Sequence, residues 1–272
     1  MIKDFDLLQR ANNDYTTIDL EHAEELAYRE LIDSIRYIPL GDECGVMGNI
    51  ANIITYKGRF YIQEEQFDRV FIYDDTGRCL KKIDNKGRGP GEYLRIESID
   101  INTEKEELML VDGMSDKLFF YDLDGNFKSI HSIRYFQTEN TLCLRDSVFL
   151  HISAPSQNFG NEGLYGYALV LSKGNENFLK GYRYLPLQVG YKGGGQIFKG
   201  YERSCYHPIY SDTIYQILSD TTYGPIFYFR FSTVWYKRLR NKHLTKYLKN
   251  SSNDLGIVLF LAFCGAMLSN NS

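Results

Sequence analysis

The sequence of 272 residues predicts an all-β fold of the β-propeller type. The main observation is an internal repeat at a spacing of 48 residues, in which Val70–Gly77 (V-F-I-Y-D-D-T-G) returns as Leu118–Gly125 (L-F-F-Y-D-L-D-G). A period of about 40–50 residues with several strands per unit is typical of propeller blades. Composition agrees, since 22 tyrosines, 17 phenylalanines and 23 glycines suit strands joined by many turns.

The N-terminal region is predicted to precede the propeller. Residues 1–33 are polar and charged, and within them Asp19–Asp33 has a weak apolar stripe at helical spacing, which predicts one short helix. Ser34–Leu40 is predicted to be a strand, and Pro39 near its end suits an edge position. The domain boundaries that follow are an extension at 1–33, a partial propeller at 34–231 and a tail at 232–272.

The first blade is predicted most clearly. Its four strands are predicted at Ala51–Tyr56, as the inner strand, and at Arg59–Glu64, Arg69–Asp74 and Cys79–Ile83. In Val70–Tyr73 both faces are apolar, which predicts a sheet covered on both sides by other sheets. Between the last two strands, Asp74–Gly77 has the chemistry of a hairpin turn, since Asp caps its own backbone and Gly accepts a positive φ.

Three further blades are predicted with decreasing regularity. The second spans about Ile96–Ile133, with its turn at Asp122–Gly125. The third contains strands at Asp146–His151 and Tyr167–Leu171, a turn at Ser172–Asn175 and a polar, glycine-rich excursion at 153–166. The fourth runs from about Gln196 to Phe231, with strands at Tyr201–Tyr206, Asp212–Ile217 and Pro225–Phe231.

The pattern changes after Phe231. Tyr236–Asn250 carries six Lys and Arg residues and no acid, and it is predicted to be a helix. The apolar run Gly256–Leu268 follows, and it is shorter than the about 20 residues that a membrane span needs. The basic stretch and the apolar run together could also form an anchor at a membrane surface, although a solvated helix face is the simpler interpretation.

Charge, cysteines and the N-terminus limit the classes of function. The net charge of −4 provides no basic field for nucleic acid. The five cysteines are widely separated and form no C-x-x-C motif, so we expect mostly buried free thiols rather than a zinc site or a disulfide scaffold. Met1–Asp6 is too polar for a secretory signal, so the chain as written is expected in the cytoplasm.

Three motifs in order carry a family resemblance: an Asp-Ser-Ile segment at Asp33–Leu40, G-R-G-P-G-E-Y at Gly87–Tyr93, and S-D-T-I-Y at Ser211–Tyr215. With the flanking strands they resemble a family of six-bladed, NHL-repeat-like β-propellers of gut Bacteroidetes, over about residues 17–231. The resemblance implies exported lipoproteins of the cell envelope with binding roles. It also implies that Ser34–Leu40 completes the last blade and closes the ring.

The chain departs from that family in two respects. It lacks the lipoprotein signal, and about four blades are predicted where the family has six. An unclosed ring would expose sheet faces and edges. A truncated or frameshifted, inactive gene product is therefore one hypothesis, and the tail at 232–272 fits it.

Candidate site residues are concentrated in the loop between the first two blades. Arg88, Glu92, Tyr93 and Arg95 could project at one propeller face, where ligands usually bind, and they are the predicted binding residues. The glycines of this loop match neither the P-loop nor the Rossmann pattern, so a tight crossing between blades is the favoured interpretation. No catalytic residues, metal ligands or cofactor are predicted, since the five histidines are scattered and no Gly-x-Ser-x-Gly elbow occurs.

The acidic turns Asp74–Gly77 and Asp122–Gly125 could suggest calcium loops, but hairpin capping is the simpler prediction because no terminal Glu follows at the required spacing. The leading functional hypothesis is a non-catalytic binding or scaffold module for a glycan, peptide or protein. The alternative is a hydrolase or lyase acting on a polysaccharide with catalytic residues drawn from several blades.

Overall fold

A computed structural model gives the fold. It describes residues 6–7, 9–12, 14–19, 34–133, 138–145, 147–153, 158, 167–173, 177–183, 195–199, 204–208, 211–218 and 222–230. The chain divides into two compact units, Met1–Tyr15 with Ile38–Phe227, and Thr16–Tyr37 with Tyr228–Ser272. Apart from Thr16–Asp19 and Tyr228–Arg230, which belong to the second unit, the strands below belong to the first.

Nineteen strands and no helix occur in the described residues. Three short strands come first: β1 (Asp6–Leu7), β2 (Gln9–Arg10) and β3 (Thr16–Asp19). The first sheet contains β4 (Ile50–Tyr56), β5 (Arg59–Glu64), β6 (Arg69–Asp74) and β7 (Cys79–Ile83). The second contains β8 (Ser98–Asn102), β9 (Glu107–Asp112), β10 (Lys117–Asp122) and β11 (Phe127–Ser132).

Two further sheets follow. The third contains β12 (Asn140–Arg145), β13 (Val148–Ile152), β14 (Tyr167–Lys173) and β15 (Asn177–Arg183). The fourth contains β16 (Gln196–Lys199), β17 (Ser204–His207), β18 (Thr213–Ile217) and β19 (Thr222–Arg230). The sequence predicted every strand of the first sheet to within one residue. It did not predict β12, β15 or β16.

The register of the strands reproduces the sequence repeat. In the first sheet β5 pairs antiparallel with β6, from Arg59 opposite Asp74 to Glu64 opposite Arg69. In the second sheet β9 pairs with β10 from Glu107 opposite Asp122 to Asp112 opposite Lys117, 48 residues further on at every position. The two units of the repeat are therefore the same four-stranded antiparallel meander.

Neighbouring sheets pack face to face, which explains the strands that are apolar on both sides. One cluster joins the first and second sheets through side chains such as Tyr61, Ile72 and Phe119. A second joins the second and third sheets, and another joins the third and fourth. Val70, Phe71, Ile72 and Tyr73 are all buried, as the sequence predicted, because the alternate side chains of β6 enter two different clusters.

The first strands of successive sheets contact one another: β4 contacts β8, β8 contacts β12, and β12 contacts β16. Each of these strands lies at one edge of its sheet. Sheets that meet through their first strands are arranged around a common line, as blades are around the axis of a propeller. The predicted all-β fold of the propeller type is confirmed, with four sheets in the described residues.

The two acidic turns are hairpin caps, as the sequence predicted. The Asp74 carboxylate accepts hydrogen bonds from the backbone nitrogens of Thr76 and Arg78, both at 3.0 Å, and Gly77 has φ 90°. In the second sheet Asp122 Oδ1 accepts from the backbone nitrogens of Asp124 and Asn126 at 3.0 and 2.8 Å. The Thr76 hydroxyl, which donates to Asp74 Oδ1 at 2.6 Å, is the main cause that lowers the pKa of Asp74, and the backbone donors add to it. At Asp122 burial is the largest single influence and raises the pKa, but the hydrogen bonds from Asn126 and Asp124 hold it below the ordinary value.

The N-terminal region differs from the prediction. Ser34–Leu40 forms no strand, and the side chains of Ile35 and Tyr37 are 66% and 87% exposed. Pro39 has no N–H for a ladder, and Gly41 just beyond it is tied to Gly77 by a backbone hydrogen bond of 2.8 Å. The earlier strands extend sheets instead: β1 pairs parallel with β15, and β2 with β19.

Other predictions at the ends of the chain lie largely outside the described residues. The predicted helix at 19–33 overlaps them only at Asp19, which ends strand β3, and β3 pairs with β19. The predicted helix at 236–250 and the apolar run at 256–268 fall wholly outside them.

The expectation of mostly free thiols is wrong for two cysteines. Cys44 and Cys79 form a disulfide with their Cα atoms 6.0 Å apart. Their spacing of 35 residues carries no motif, and only the packing of the segment around Cys44 against the first sheet brings them together. Cys143 and Cys205 are buried thiols outside any disulfide, as predicted, and burial raises the pKa of Cys143 to about 12.

Candidate functional site

The first two sheets have two distinct ends. At one end the β4–β5 and β6–β7 turns meet the corresponding turns of the second sheet, with Lys57 paired to Glu106 and Arg59 Nη1 2.7 Å from Asp124 Oδ1. At the other end the β5–β6 and β9–β10 hairpins meet the segment 84–97, which crosses from the first sheet to the second. We call this second end the crossing end, and all four predicted binding residues belong to its crossing segment.

Tyr93 fixes the crossing segment from inside. Its side chain is fully buried, and its ring lies edge-on to Phe119 with centroids 6.0 Å apart. The hydroxyl donates a hydrogen bond to the Asp68 carbonyl at 2.8 Å and accepts one from the Asn85 backbone nitrogen at 3.1 Å. Burial raises the pKa of this phenol well above its ordinary value. Tyr93 therefore positions the loop and presents no surface to a ligand.

Glu92 is exposed but bonded within its own loop. Its carboxylate accepts a hydrogen bond of 2.6 Å from the Gly89 backbone nitrogen, and its backbone nitrogen donates to the Gly89 carbonyl at 3.1 Å. A side chain at Gly87 would collide with this carboxylate, so the glycine permits the close approach. The glycines thus serve a tight crossing, and the carboxylate of Glu92 caps it.

The two arginines project outward. Arg88 is exposed at the tip of the loop, between Gly87 and Gly89. The side chain of Arg95 is 54% exposed, with its Nε 3.3 Å from Glu97 Oε1. Burial raises the pKa of Glu97, with a further upward effect from Asp112 and an opposing effect from Arg95. Arg88 is therefore the predicted residue that is best placed to meet a ligand.

Two aspartates hold the crossing segment to the hairpins, and sequence reasoning missed both. Asp68 accepts from the Ile96 backbone nitrogen at 3.1 Å and pairs with Lys86 at 2.5 Å. Asp112 accepts from the Leu94 backbone nitrogen at 2.7 Å. The available signal was the repeat, because acidic residues stand at equivalent hairpin positions in both sheets, Glu64 with Asp112 and Asp68 with Asp116.

Two apolar side chains are exposed at the hairpin tips of the crossing end. Phe67 in the β5–β6 turn is 45% exposed, and the Arg69 guanidinium lies 4.5 Å from its ring centroid. Met114 in the β9–β10 turn is 64% exposed. The crossing end therefore presents arginines beside exposed apolar and aromatic side chains, a combination that is enriched at protein interfaces.

Polar groups from three sheets meet at the first strands. Lys199 of β16 donates to the carbonyls of Ile101 and Cys143 at 2.9 and 2.8 Å, and its Nζ lies 3.3 Å from Asp100 Oδ2. The Asp100 carboxylate also accepts from the Cys143 backbone nitrogen at 2.7 Å. Burial raises the pKa of Asp100, opposed by Lys199. The arrangement is an ion pair between a buried carboxylate and a partly exposed lysine, and it links the second, third and fourth sheets.

A buried serine–histidine pair lies within the third sheet. His151 Nε2 is 2.7 Å from Ser172 Oγ, and Nδ1 is 2.9 Å from Thr141 Oγ1. All three residues are buried, and burial lowers the pKa of His151 to about 3. No substrate can reach this pair, so we interpret it as a satisfied polar network of the core. Among the described residues no group of three or more His, Cys, Asp or Glu side chains is placed to hold a metal ion.

The fold and these contacts define a protein of the β-propeller type with a braced, arginine-bearing crossing loop at one end. The chain belongs to the family of domains of unknown function DUF4934, whose model matches residues 15–264. No curated protein matches the sequence. Within the described residues, no helix is long and apolar enough to cross a membrane.

Solved structures with a similar fold include a Bacteroides fragilis protein predicted to be exported, at 20% identity and a TM-score of 0.69. That match covers 86% of this chain and 68% of the other. A DUF4221 family member from Bacteroides vulgatus is 11% identical with a TM-score of 0.42, covering 65% of this chain and 57% of its own. The WD40 repeats of RRP9 match at 8% identity and a TM-score of 0.45, covering 65% of this chain and 51% of theirs.

Proposed function

We propose that the chain is a non-catalytic binding or scaffold module that binds a glycan, peptide or protein ligand at its crossing end. The braced crossing loop carries this proposal. Tyr93, Asp68 and Asp112 hold its backbone, so an exposed Arg88 is presented from a fixed support. A preorganised loop loses little conformational entropy when it binds, which favours affinity. Phe67 and Met114, exposed in the hairpin turns of the same end, add apolar contact area.

The test is a thermal-shift screen against defined polysaccharide fragments, acidic and neutral, and a peptide library. A hit is then titrated against the Arg88→Ala variant and the matched control Arg78→Ala, which removes an exposed arginine from a turn at the opposite end. We expect Arg88→Ala to weaken binding and Arg78→Ala to leave it unchanged. Equal affinity in both variants would contradict the proposed site. Turnover of a fragment would replace the binding module with the alternative, a propeller hydrolase or lyase.

We also propose an exported, cell-envelope location. The Cys44–Cys79 disulfide supports it, because disulfides persist in oxidising compartments and are rare in reducing ones. The Bacteroides fragilis protein of similar fold, which is itself predicted to be exported, supports it as well. Thiol alkylation of the protein taken directly from its native cells tests the location. Cys44 and Cys79 should resist alkylation until a reductant is added, and immediate labelling of both would overturn the proposal.

We propose further that the family shares the six-bladed, NHL-like ring that the sequence motifs suggest. The chain has four sheets in its described residues and spans 68% of the length of the Bacteroides fragilis protein. This share is close to the ratio of four blades to six, which supports the proposal. A solved structure of a longer family member, with its blades counted, tests this.

A further inference from the structure

The first sheet has an apolar face that is covered by no other sheet of the described residues. Its side chains point away from the second sheet and are nevertheless buried: Ile62, Phe71, Tyr73 and Cys79 are between 0% and 7% exposed. Cys44 and Met47 pack on this face. Since alternate residues of β6 point to opposite sides, this is the face on which a preceding blade would pack in a propeller. The segment 41–49, which we call the cover segment, occupies that place.

The cover segment is attached to the sheet at its two ends by few hydrogen bonds. Near its start, the Gly41 backbone nitrogen donates to the Gly77 carbonyl at 2.8 Å, and the Tyr73 hydroxyl donates to the Gly41 carbonyl at 3.3 Å. At its end, the Glu65 backbone nitrogen donates to the Asn49 carbonyl at 2.9 Å. Between these ends, the Glu43 carboxylate accepts a hydrogen bond from the Cys79 backbone nitrogen at 3.3 Å, and the disulfide joins Cys44 to Cys79 of β7.

The middle of the cover segment has little packing of its own. Val46 is 84% exposed, and a Cβ placed on Gly45 would meet no atom within 4 Å. Gly45 also has φ 96°, a left-handed backbone that glycine adopts without strain. The disulfide, the packing of Met47 and the Glu43 carboxylate are thus the contacts that hold the middle of this stretch against the first sheet, and only the disulfide is covalent. Segments with few buried apolar contacts are those that open locally while the rest of a protein stays folded.

We propose that the Cys44–Cys79 disulfide is a redox-sensitive clasp that keeps the cover segment on the apolar face of the first sheet. Reduction by a dithiol releases residues 41–49 and uncovers that face without unfolding the four sheets. The disulfide lies at the opposite end of the first sheet from the proposed ligand site, because Cys79 follows the β6–β7 turn. The far end of the cover segment does reach the crossing end, where Asn49 binds Glu65 of the β5–β6 turn.

Reduction by the dithiol is a thiol–disulfide exchange in two steps. A thiolate of the dithiol attacks the sulfur of Cys44, which is part-exposed, whereas Cys79 is only 7% exposed. The sulfur–sulfur bond breaks, Cys79 leaves as a thiolate and takes up a proton, and a mixed disulfide forms on Cys44. The second thiol of the dithiol displaces Cys44, which also ends as a thiol. Two electrons and two protons pass to the protein, and the dithiol becomes a disulfide.

Hydrogen exchange followed by mass spectrometry tests the clasp. The full chain is compared before and after dithiothreitol treatment, with alkylation confirming two new thiols. We expect amide protection in peptides covering 41–49 to fall by at least about tenfold, because the crosslink no longer restricts the open state. Protection in β9 and β10 should not change. Binding of an apolar fluorescent dye should rise at the same time.

A Cys44→Ala, Cys79→Ala double variant provides the matched control. It should show the low protection of the cover segment without reductant and no further response to dithiothreitol. Unchanged protection of 41–49 in the reduced protein would mean that packing alone holds the segment, and would overturn the clasp. Loss of protection throughout all four sheets, or a double variant that does not fold, would mean that the disulfide stabilises the whole fold. Either result would also overturn the clasp.

Discussion

The contribution of the Tyr93 hydroxyl can be isolated by the Tyr93→Phe substitution, which removes one oxygen and keeps the ring against Phe119. The hydroxyl satisfies two main-chain groups, the Asp68 carbonyl at 2.8 Å and the Asn85 nitrogen at 3.1 Å. Each buried polar group that loses its partner costs about 1–3 kcal/mol. Water reaches some of the space at Asn85, which is exposed, so we expect a total loss of about 2–4 kcal/mol.

Urea unfolding followed by circular dichroism measures this loss. With a slope of about 2–3 kcal/mol per M of urea, the midpoint should fall by about 1 M. The matched control is Tyr37→Phe, since the Tyr37 side chain is 87% exposed and the same oxygen is removed. That variant should stay within about 0.5 kcal/mol of the parent protein. If Tyr93→Phe also unfolds at the parent midpoint, the hydroxyl does not brace the crossing loop, and the argument for a preorganised Arg88 fails with it.

Two further predictions concern buried charge. Burial lowers the pKa of His151 from 6.5 to about 3. As the pH falls, the unfolded state therefore takes up a proton on this imidazole at a higher pH than the folded state does. The contribution of this group to the free energy of unfolding should therefore decline by about 1.4 kcal/mol per pH unit from about pH 6.5 toward pH 3. In urea titrations at a series of pH values, His151→Gln should remove this part of the pH dependence. Lys199→Met should destabilise the chain by about 3 kcal/mol, because the buried Asp100 carboxylate loses its charged partner and keeps backbone donors such as the Cys143 nitrogen. Adding Asp100→Asn should recover much of the loss in a double-mutant cycle, and strictly additive losses would contradict the ion pair.

The sequence predicted the loop of the candidate site, but not the contacts that hold this loop in place. The glycine-rich segment at 87–91 was interpreted as a tight crossing, and the structure shows Gly87 and Gly89 against the Glu92 carboxylate. The internal position of Tyr93 was not predictable, because an aromatic residue after a turn occurs both in cores and at binding surfaces. Its burial depends on Asp68, 25 residues earlier in the chain.

What the sequence by itself determined is local. Alternation of side chains over five or six residues and an Asp-x-x-Gly turn specify each hairpin, because strand pairing across a short turn involves residues that are already neighbours in the chain. The 48-residue repeat then predicted a second sheet of the same kind, and its strands have the same register as those of the first.

The tertiary structure alone decided which distant segments meet. Lys199 lies 99 residues beyond Asp100, β1 pairs with β15, and Cys44 reaches Cys79 although Ser34–Leu40 just before it forms no strand. None of these contacts has a periodic or short-range signature. Each exists because the packing of successive sheets brings remote backbone together, and the free energy of that packing is a sum over the whole assembly rather than over any one segment.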